Sequence, residues 1–128
     1  MKRRTAREKS LQALYQMDVS GAEPEEAIKN VLEEEPADEY LSKSVKGTFE
    51  HLEEIDAIIK AHLEKWSFDR LARVDRNILR LAVFEMKYEN DVPEKVTINE
   101  AIELAKQFSD EQSGKFINGV LSRVKETL

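Results

Sequence analysis

Hydrophobic residues recur every three or four positions along most of the chain, which is the spacing of an amphipathic helix. In the first such stretch, Leu11, Leu14 and Tyr15 fall on one face. No stretch alternates apolar and polar residues with a period of two for long enough to indicate a strand. The pattern therefore predicts an all-α fold, a compact bundle of about seven helices.

Local signals indicate where several helices begin and end. Three stretches match a capping box, in which a Ser or Thr and an acidic or amide residue three positions later bond the free N–H groups of a helix start. They lie at residues 5–8, 97–100 and 109–112, with Thr5, Thr97 and Ser109 as the expected caps. Gly21 is placed to end the first helix, Pro24 to begin the second and Pro36 to end it.

The middle of the chain carries two different helical patterns. From Asp38 to Trp66 an apolar stripe keeps helical spacing, which indicates either two helices or one broken helix. From Val74 to Met86 apolar residues occupy most sides of the predicted helix. Such a helix is typical of the centre of a bundle, so we expect it to be buried.

Length and composition favour one folded domain. The chain has 128 residues, 41% of them hydrophobic and 36% charged, which suffices for a core and a solvated surface. We therefore expect residues 1–128 to form a single domain. Cysteine is absent, so disulfides and thiolate metal sites are excluded, and no apolar stretch resembles a signal peptide or a membrane span. These features favour a location in the cytoplasm.

Charge is distributed unevenly along the chain. The net charge is −6, and residues 23–39 are strongly acidic, but the N-terminus is basic. Its basic residues are Lys2, Arg3, Arg4, Arg7 and Lys9. Arginine can bind phosphate through two N–H groups at once, although a short basic terminus is more often a solvated tail. Arg7 lies inside the predicted first helix, on a rigid element, and this position strengthens the case for RNA binding beyond that of a trailing basic tail.

The usual signatures of catalysis are missing. His51 and His62 are the only histidines, and no HExxH, GxxxxGK or GxSxG motif occurs. Runs of acidic residues such as 33–35 are typical of solvated helix surface. We therefore expect neither an enzyme nor a metal or cofactor site.

Four motifs, in the same order along the chain, resemble those of the NusB family. The first helix carries RTARE at 4–8 and LQALYQ at 11–16, and the predicted buried helix carries VDRNILRLA at 74–82. They are followed by VPEKVTINEAIELAK at 92–106 and KFINGVL at 115–121. Residues 19–66 match that family only in helical pattern.

This resemblance implies a NusB-like RNA-binding domain that acts in transcription antitermination. It implies binding to boxA RNA together with the ribosomal protein NusE, in an RNA polymerase complex that reads through terminators, notably in ribosomal RNA operons. The implied RNA-binding residues are Lys2, Arg3, Arg4, Arg7, Gln12, Gln112, Lys115 and Phe116. The implied contacts with NusE are Tyr15, Asp75, Arg76, Arg80 and Glu85.

Several alternatives stay open at this point. Tyr15 and Phe116 lie at core spacing and could be packing residues, and Asp75 and Arg80 could form an internal ion pair. The motifs also resemble the N-terminal domain of a ribosomal RNA cytosine methyltransferase, although no glycine-rich cofactor loop is present. A third possibility is a helical scaffold that binds only protein.

Overall fold

The computed structural model describes residues 1–128 and contains seven α-helices, one short 3-10 turn and no strand. The prediction of an all-α fold with about seven helices is confirmed. The helices are α1 (Arg3–Ser20), α2 (Pro24–Leu32), α3 (Glu39–Glu50), α4 (Leu52–Ala61), α5 (Arg73–Tyr88), α6 (Glu94–Phe108) and α7 (Glu111–Thr127). The 3-10 turn, Phe68–Arg70, lies between α4 and α5.

Helix α5 is the central element of the bundle, as its apolar pattern predicts. It packs against α1, α3, α4, α6 and α7, and Ile78, Leu79 and Val83 have no exposed surface. Burying one such side chain stabilises the fold by about 1.5–3 kcal/mol. Helix α3 approaches α5 closely at Gly47, where a Cβ atom would overlap the ring of Phe84. A larger residue at position 47 would displace this ring.

The ends of α1 to α4 follow several of the sequence signals. Gly21 has a left-handed conformation with φ of 75°, and its N–H donates to the carbonyl of Met17 at the end of α1. Pro24 begins α2, where the missing N–H costs nothing. The stretch from Asp38 forms two helices, α3 and α4, which meet at His51. Helix α2 ends at Leu32, before Pro36.

The predicted capping boxes are wrong in detail. Helix α1 begins at Arg3, so Thr5 lies inside it, and α6 begins at Glu94, so Thr97 lies inside that helix. Pro93 explains the early start of α6, because its fixed φ leads directly into a helix. The cap of α7 is Asp110, whose carboxylate accepts from the N–H of Ser113 at 2.8 Å.

None of the helices combines the length and the apolar character that crossing a membrane requires.

Candidate functional site

The basic N-terminus lies at the start of α1, and three of its cations are exposed: Lys2, Arg3 and Arg4. Arg4 donates to both carboxylate oxygens of Glu100 on α6, at 2.7 and 3.2 Å. The guanidinium of Arg3 lies 4.4 Å from the centre of the Tyr40 ring. Both arginines are thus oriented by the protein while they stay exposed to solvent.

Arg7 is buried, with only 7% of its surface exposed. Its Nη2 lies 3.1 Å from Oε2 of Glu85 on α5, and its Nη1 lies 3.6 Å from Oε1 of Glu100. Glu85 also accepts hydrogen bonds from the hydroxyls of Tyr40 and Thr97. The sequence assigned Arg7 to RNA and Glu85 to the protein partner, whereas the structure pairs them with each other.

Glu100 is the acidic counterpart of both arginines. The hydrogen bond from Arg4, together with the positive charges of Arg4 and Arg7, outweighs partial burial and holds the pKa of the Glu100 carboxyl below its usual value. Glu100 therefore stays ionised and keeps Arg4 at the surface of α6.

Arg76 and Arg80 belong to a second internal cluster. Nη2 of Arg76 lies 2.8 Å from Oδ2 of Asp18 on α1, and Nε of Arg80 lies 2.8 Å from Oδ1 of Asp56 on α4. Both guanidinium groups also lie 5.5 Å from the ring of Phe68. This cluster joins α1, α4, α5 and the 3-10 turn, so both arginines are largely occupied inside the molecule.

The cluster stabilises the ionised form of the Asp18 carboxyl. Burial alone would raise the pKa of its carboxyl, but hydrogen bonds from Arg76 and Asn77 and the charge of Arg80 hold that pKa below its usual value. The expected alternative of an Asp75–Arg80 ion pair is not formed. Arg80 pairs with Asp56 and Asp18 instead.

Asp75 lies in a groove between the 3-10 turn and α7. We call it the Trp66 groove; its volume is about 490 Å³. It is lined by Trp66, Arg70, Leu71, Ala72, Asp75, Gln112, Ser113, Lys115 and Phe116. The structure thus brings together residues that the sequence assigned separately to RNA and to the protein partner. Phe116 is half-buried and packs against the core as well as lining the groove.

A second, more apolar groove lies between α1, α5 and α6. We call it the Tyr15 groove; it has a volume of about 240 Å³ and is lined by Leu11, Gln12, Tyr15, Val74 and Phe108. Tyr15 is 41% exposed, so it is not a core residue despite its spacing. Val74 lines this groove and the next residue, Asp75, lines the Trp66 groove.

Sequence reasoning missed Trp66. Its spacing continued the apolar stripe of the 38–66 stretch, but α4 ends at Ala61 and the Trp66 side chain is 58% exposed. The signal that could have found it is the lysine-and-serine setting of the only tryptophan, Lys65-Trp66-Ser67, just before a turn. Nowhere do three or more His, Cys, Asp or Glu side chains form a group that could hold a metal ion.

A family model described as the NusB family matches residues 4–126. The chain belongs to the NusB family. It is 57% identical to the transcription antitermination protein NusB of Bacillus mycoides and 56% identical to that of Bacillus cereus, over the full length of both chains in each case. As a NusB family member it is a transcription antitermination factor and not an enzyme.

Solved NusB structures share this fold. A crystal structure of the antitermination factors NusB and NusE in complex with dsRNA matches with a TM-score of 0.90 and 38% identity, covering 98% of this chain and 97% of that one. The solution structure of NusB from Aquifex aeolicus matches with a TM-score of 0.83 and 40% identity, covering 98% and 89%. The full-length matches to antitermination proteins favour that function over the methyltransferase alternative.

Proposed function

We propose that this chain binds boxA RNA and the ribosomal protein NusE together, and thereby promotes read-through by RNA polymerase, notably in ribosomal RNA operons. One observation carries the proposal: the matching NusB structure was solved with NusE and dsRNA, and it covers nearly the whole of this chain. We also propose that residues 1–128 act as one domain, in the cytoplasm, where nascent RNA is made.

The proposed RNA surface runs from the start of α1 to α7. Lys2, Arg3 and Arg4 supply phosphate contacts at one end, and Lys115 supplies another next to Phe116. Phosphate contacts fix the position of the RNA, whereas aromatic and amide groups can stack on unpaired bases or bond their edges. The amides of Gln12 and Gln112 and the ring of Phe116 fill that second role.

We propose fewer NusE-contacting residues than the family resemblance implies. Tyr15 is exposed and Asp75 lines a groove, so both can meet a partner directly. Arg76, Arg80 and Glu85, like Arg7 on the RNA side, are paired internally. We propose that these four residues position the helices that carry the binding surface, and that they touch neither ligand.

The test is a fluorescence anisotropy titration with labelled boxA RNA, a scrambled RNA of equal length, and NusE present or absent. We expect a preference for boxA that increases when NusE is added. If NusE binds while neither RNA does, the chain is a protein-only scaffold, and equal affinity for boxA and scrambled RNA would refute the proposed preference for boxA. If neither ligand binds, the proposal fails entirely.

A further inference from the structure

The Trp66 groove combines an exposed aromatic ring with a buried acid. Trp66 stands at one side of the groove with more than half of its surface exposed, and Phe116 of α7 lines it as well. Large exposed aromatic residues beside a groove are typical anchors of binding surfaces, because they lose much apolar surface when a partner covers them. The two aromatic residues therefore make the groove a candidate binding surface.

Asp75 supplies the chemistry of the groove. Its side chain is only 9% exposed; Oδ2 accepts from the Ser113 hydroxyl at 3.1 Å, while Oδ1 is buried without any hydrogen-bond partner. A buried carboxylate oxygen without a donor is costly unless a donor or a cation is supplied. Burial, together with the nearby charge of Asp110, raises the pKa of the Asp75 carboxyl.

The groove is lined by one acid, Asp75, and two bases, Arg70 and Lys115. It is the unpartnered Oδ1 of Asp75, with Asp110 nearby, that favours a cation over a phosphate at this position. A nucleotide phosphate would add negative charge beside Asp75 and Asp110, whereas a cation would offset part of that charge and could lie on the aromatic face of Trp66. Arg70 and Lys115 are exposed and have long, flexible stems, so they can turn away from an incoming cation. The net charge of −6 also suits a basic protein partner.

We infer that the Trp66 groove accepts an arginine or lysine side chain of the protein partner, with Asp75 as its counter-charge and the Trp66 ring as its cover. This inference rests on the proposed function, in which that partner is NusE. It adds Trp66 to the contact residues and states what Asp75 recognises. The RNA then contacts Gln112, Lys115 and Phe116, as proposed above, from the α7 side of the groove without entering it.

The experiment uses the single tryptophan of the chain as a reporter. The full chain is labelled with 5-fluorotryptophan, so that one fluorine resonance reports on position 66. NusE affinity and boxA RNA affinity are measured separately for wild type, Asp75→Asn, Trp66→Ala and Trp66→Phe. Phe49→Ala is the matched control, because Phe49 is also an exposed aromatic but lies on α3, which contributes nothing to the groove.

We expect NusE to shift the fluorine resonance and boxA RNA alone to leave it in place. Asp75→Asn and Trp66→Ala should each lower NusE affinity roughly tenfold or more, the scale of removing one partner of a buried charge pair or a central aromatic anchor. Trp66→Phe should retain most of the affinity and Phe49→Ala all of it. RNA affinity without NusE should change by less than about twofold in every variant.

Two results would overturn the inference while leaving the proposed function intact. One is unchanged NusE affinity in Asp75→Asn and Trp66→Ala proteins whose helix content and thermal stability match wild type. The other is a fluorine shift on addition of boxA RNA alone, with weaker RNA binding by Asp75→Asn, which would place a nucleobase in the groove. Failure of the wild-type chain itself to bind NusE would instead refute the proposed function.

Discussion

Glu85 is a buried carboxylate whose partners all lie inside the molecule. Arg7 from α1, Tyr40 from α3 and Thr97 from α6 converge on its two oxygens. Removing one partner of a buried ion pair leaves an uncompensated charge and costs about 3–5 kcal/mol, far more than the loss of an exposed pair. Arg7 and Arg4, three residues apart on the same helix, should therefore respond differently to the same substitution.

Arg7→Ala should lower the free energy of unfolding by about 3–5 kcal/mol, measured by urea denaturation. Arg4→Ala should leave the denaturation midpoint nearly unchanged, because Arg4 is exposed. It should instead reduce the logarithmic salt slope of RNA binding by about 0.7, the value for one phosphate contact on a single strand. A normal midpoint for Arg7→Ala together with a reduced salt slope would show that Arg7 contacts RNA after all.

Asp18 gives the fold a defined dependence on pH. Its pKa is lower in the folded protein than the ordinary value of 3.8. Its ionised form therefore stabilises the fold fully above that ordinary value, and the contribution disappears as the pH falls through the lowered pKa. Asp18→Asn should melt at a lower temperature than wild type at neutral pH, and the difference should narrow below pH 3.8. A difference that stays constant through this range would assign the loss to packing instead of charge.

At the scale of helices, two substitutions at the start of α7 test which residue caps that helix. Asp110→Ala should cost about 1 kcal/mol of stability, the usual loss when a capping side chain is removed. Ser109→Ala should cost less, because the Ser109 hydroxyl bonds only the Ser113 hydroxyl and no helix N–H. Chemical denaturation of the two variants compares them directly. Equal losses would mean that the Ser109–Ser113 contact supports the helix start as much as the cap does.

Thr97 shows why helix starts are harder to predict than helices. Its sequence context matches a capping box, yet α6 already begins at Glu94, directly after Pro93, and Thr97 donates to buried Glu85. A local motif reports what a side chain can do for its own helix. It carries no information about a carboxylate on another helix that uses the same hydroxyl. The burial of α5 was easier to predict, because its apolar pattern extends over many residues and does not depend on any single side chain.

The candidate site was predicted only in part for a similar reason. Arg3 and Arg4 are exposed, as a basic N-terminus predicts. Arg7 looks the same in sequence but is buried by Glu85, which lies 78 positions further along the chain. Charge type can be read from sequence, but whether a charge is free depends on which helices become neighbours.

For the whole molecule, the proposed joint binding of NusE and boxA RNA requires the two affinities to be coupled. If NusE raises the affinity for boxA RNA by some factor, RNA must raise the affinity for NusE by the same factor. Titrating each ligand with and without the other should give a cycle that closes within experimental error. A cycle that fails to close would indicate that the protein changes its oligomeric state during the titration.

Because α1 packs against α2, α3 and α5, the first helix to be synthesised lies among elements that are made later. On the ribosome, the apolar face of α1 and the side chain of Arg7 have no partners until α5 and α6 have been synthesised. These two helices carry Glu85 and Glu100, with which Arg7 pairs. A nascent chain that ends after α4 thus exposes an uncovered helix with an unpaired arginine, and it lacks both walls of the Trp66 groove. Such an intermediate lacks the α7 residues of the proposed RNA surface, and its exposed apolar surface makes it prone to aggregation until the later helices emerge.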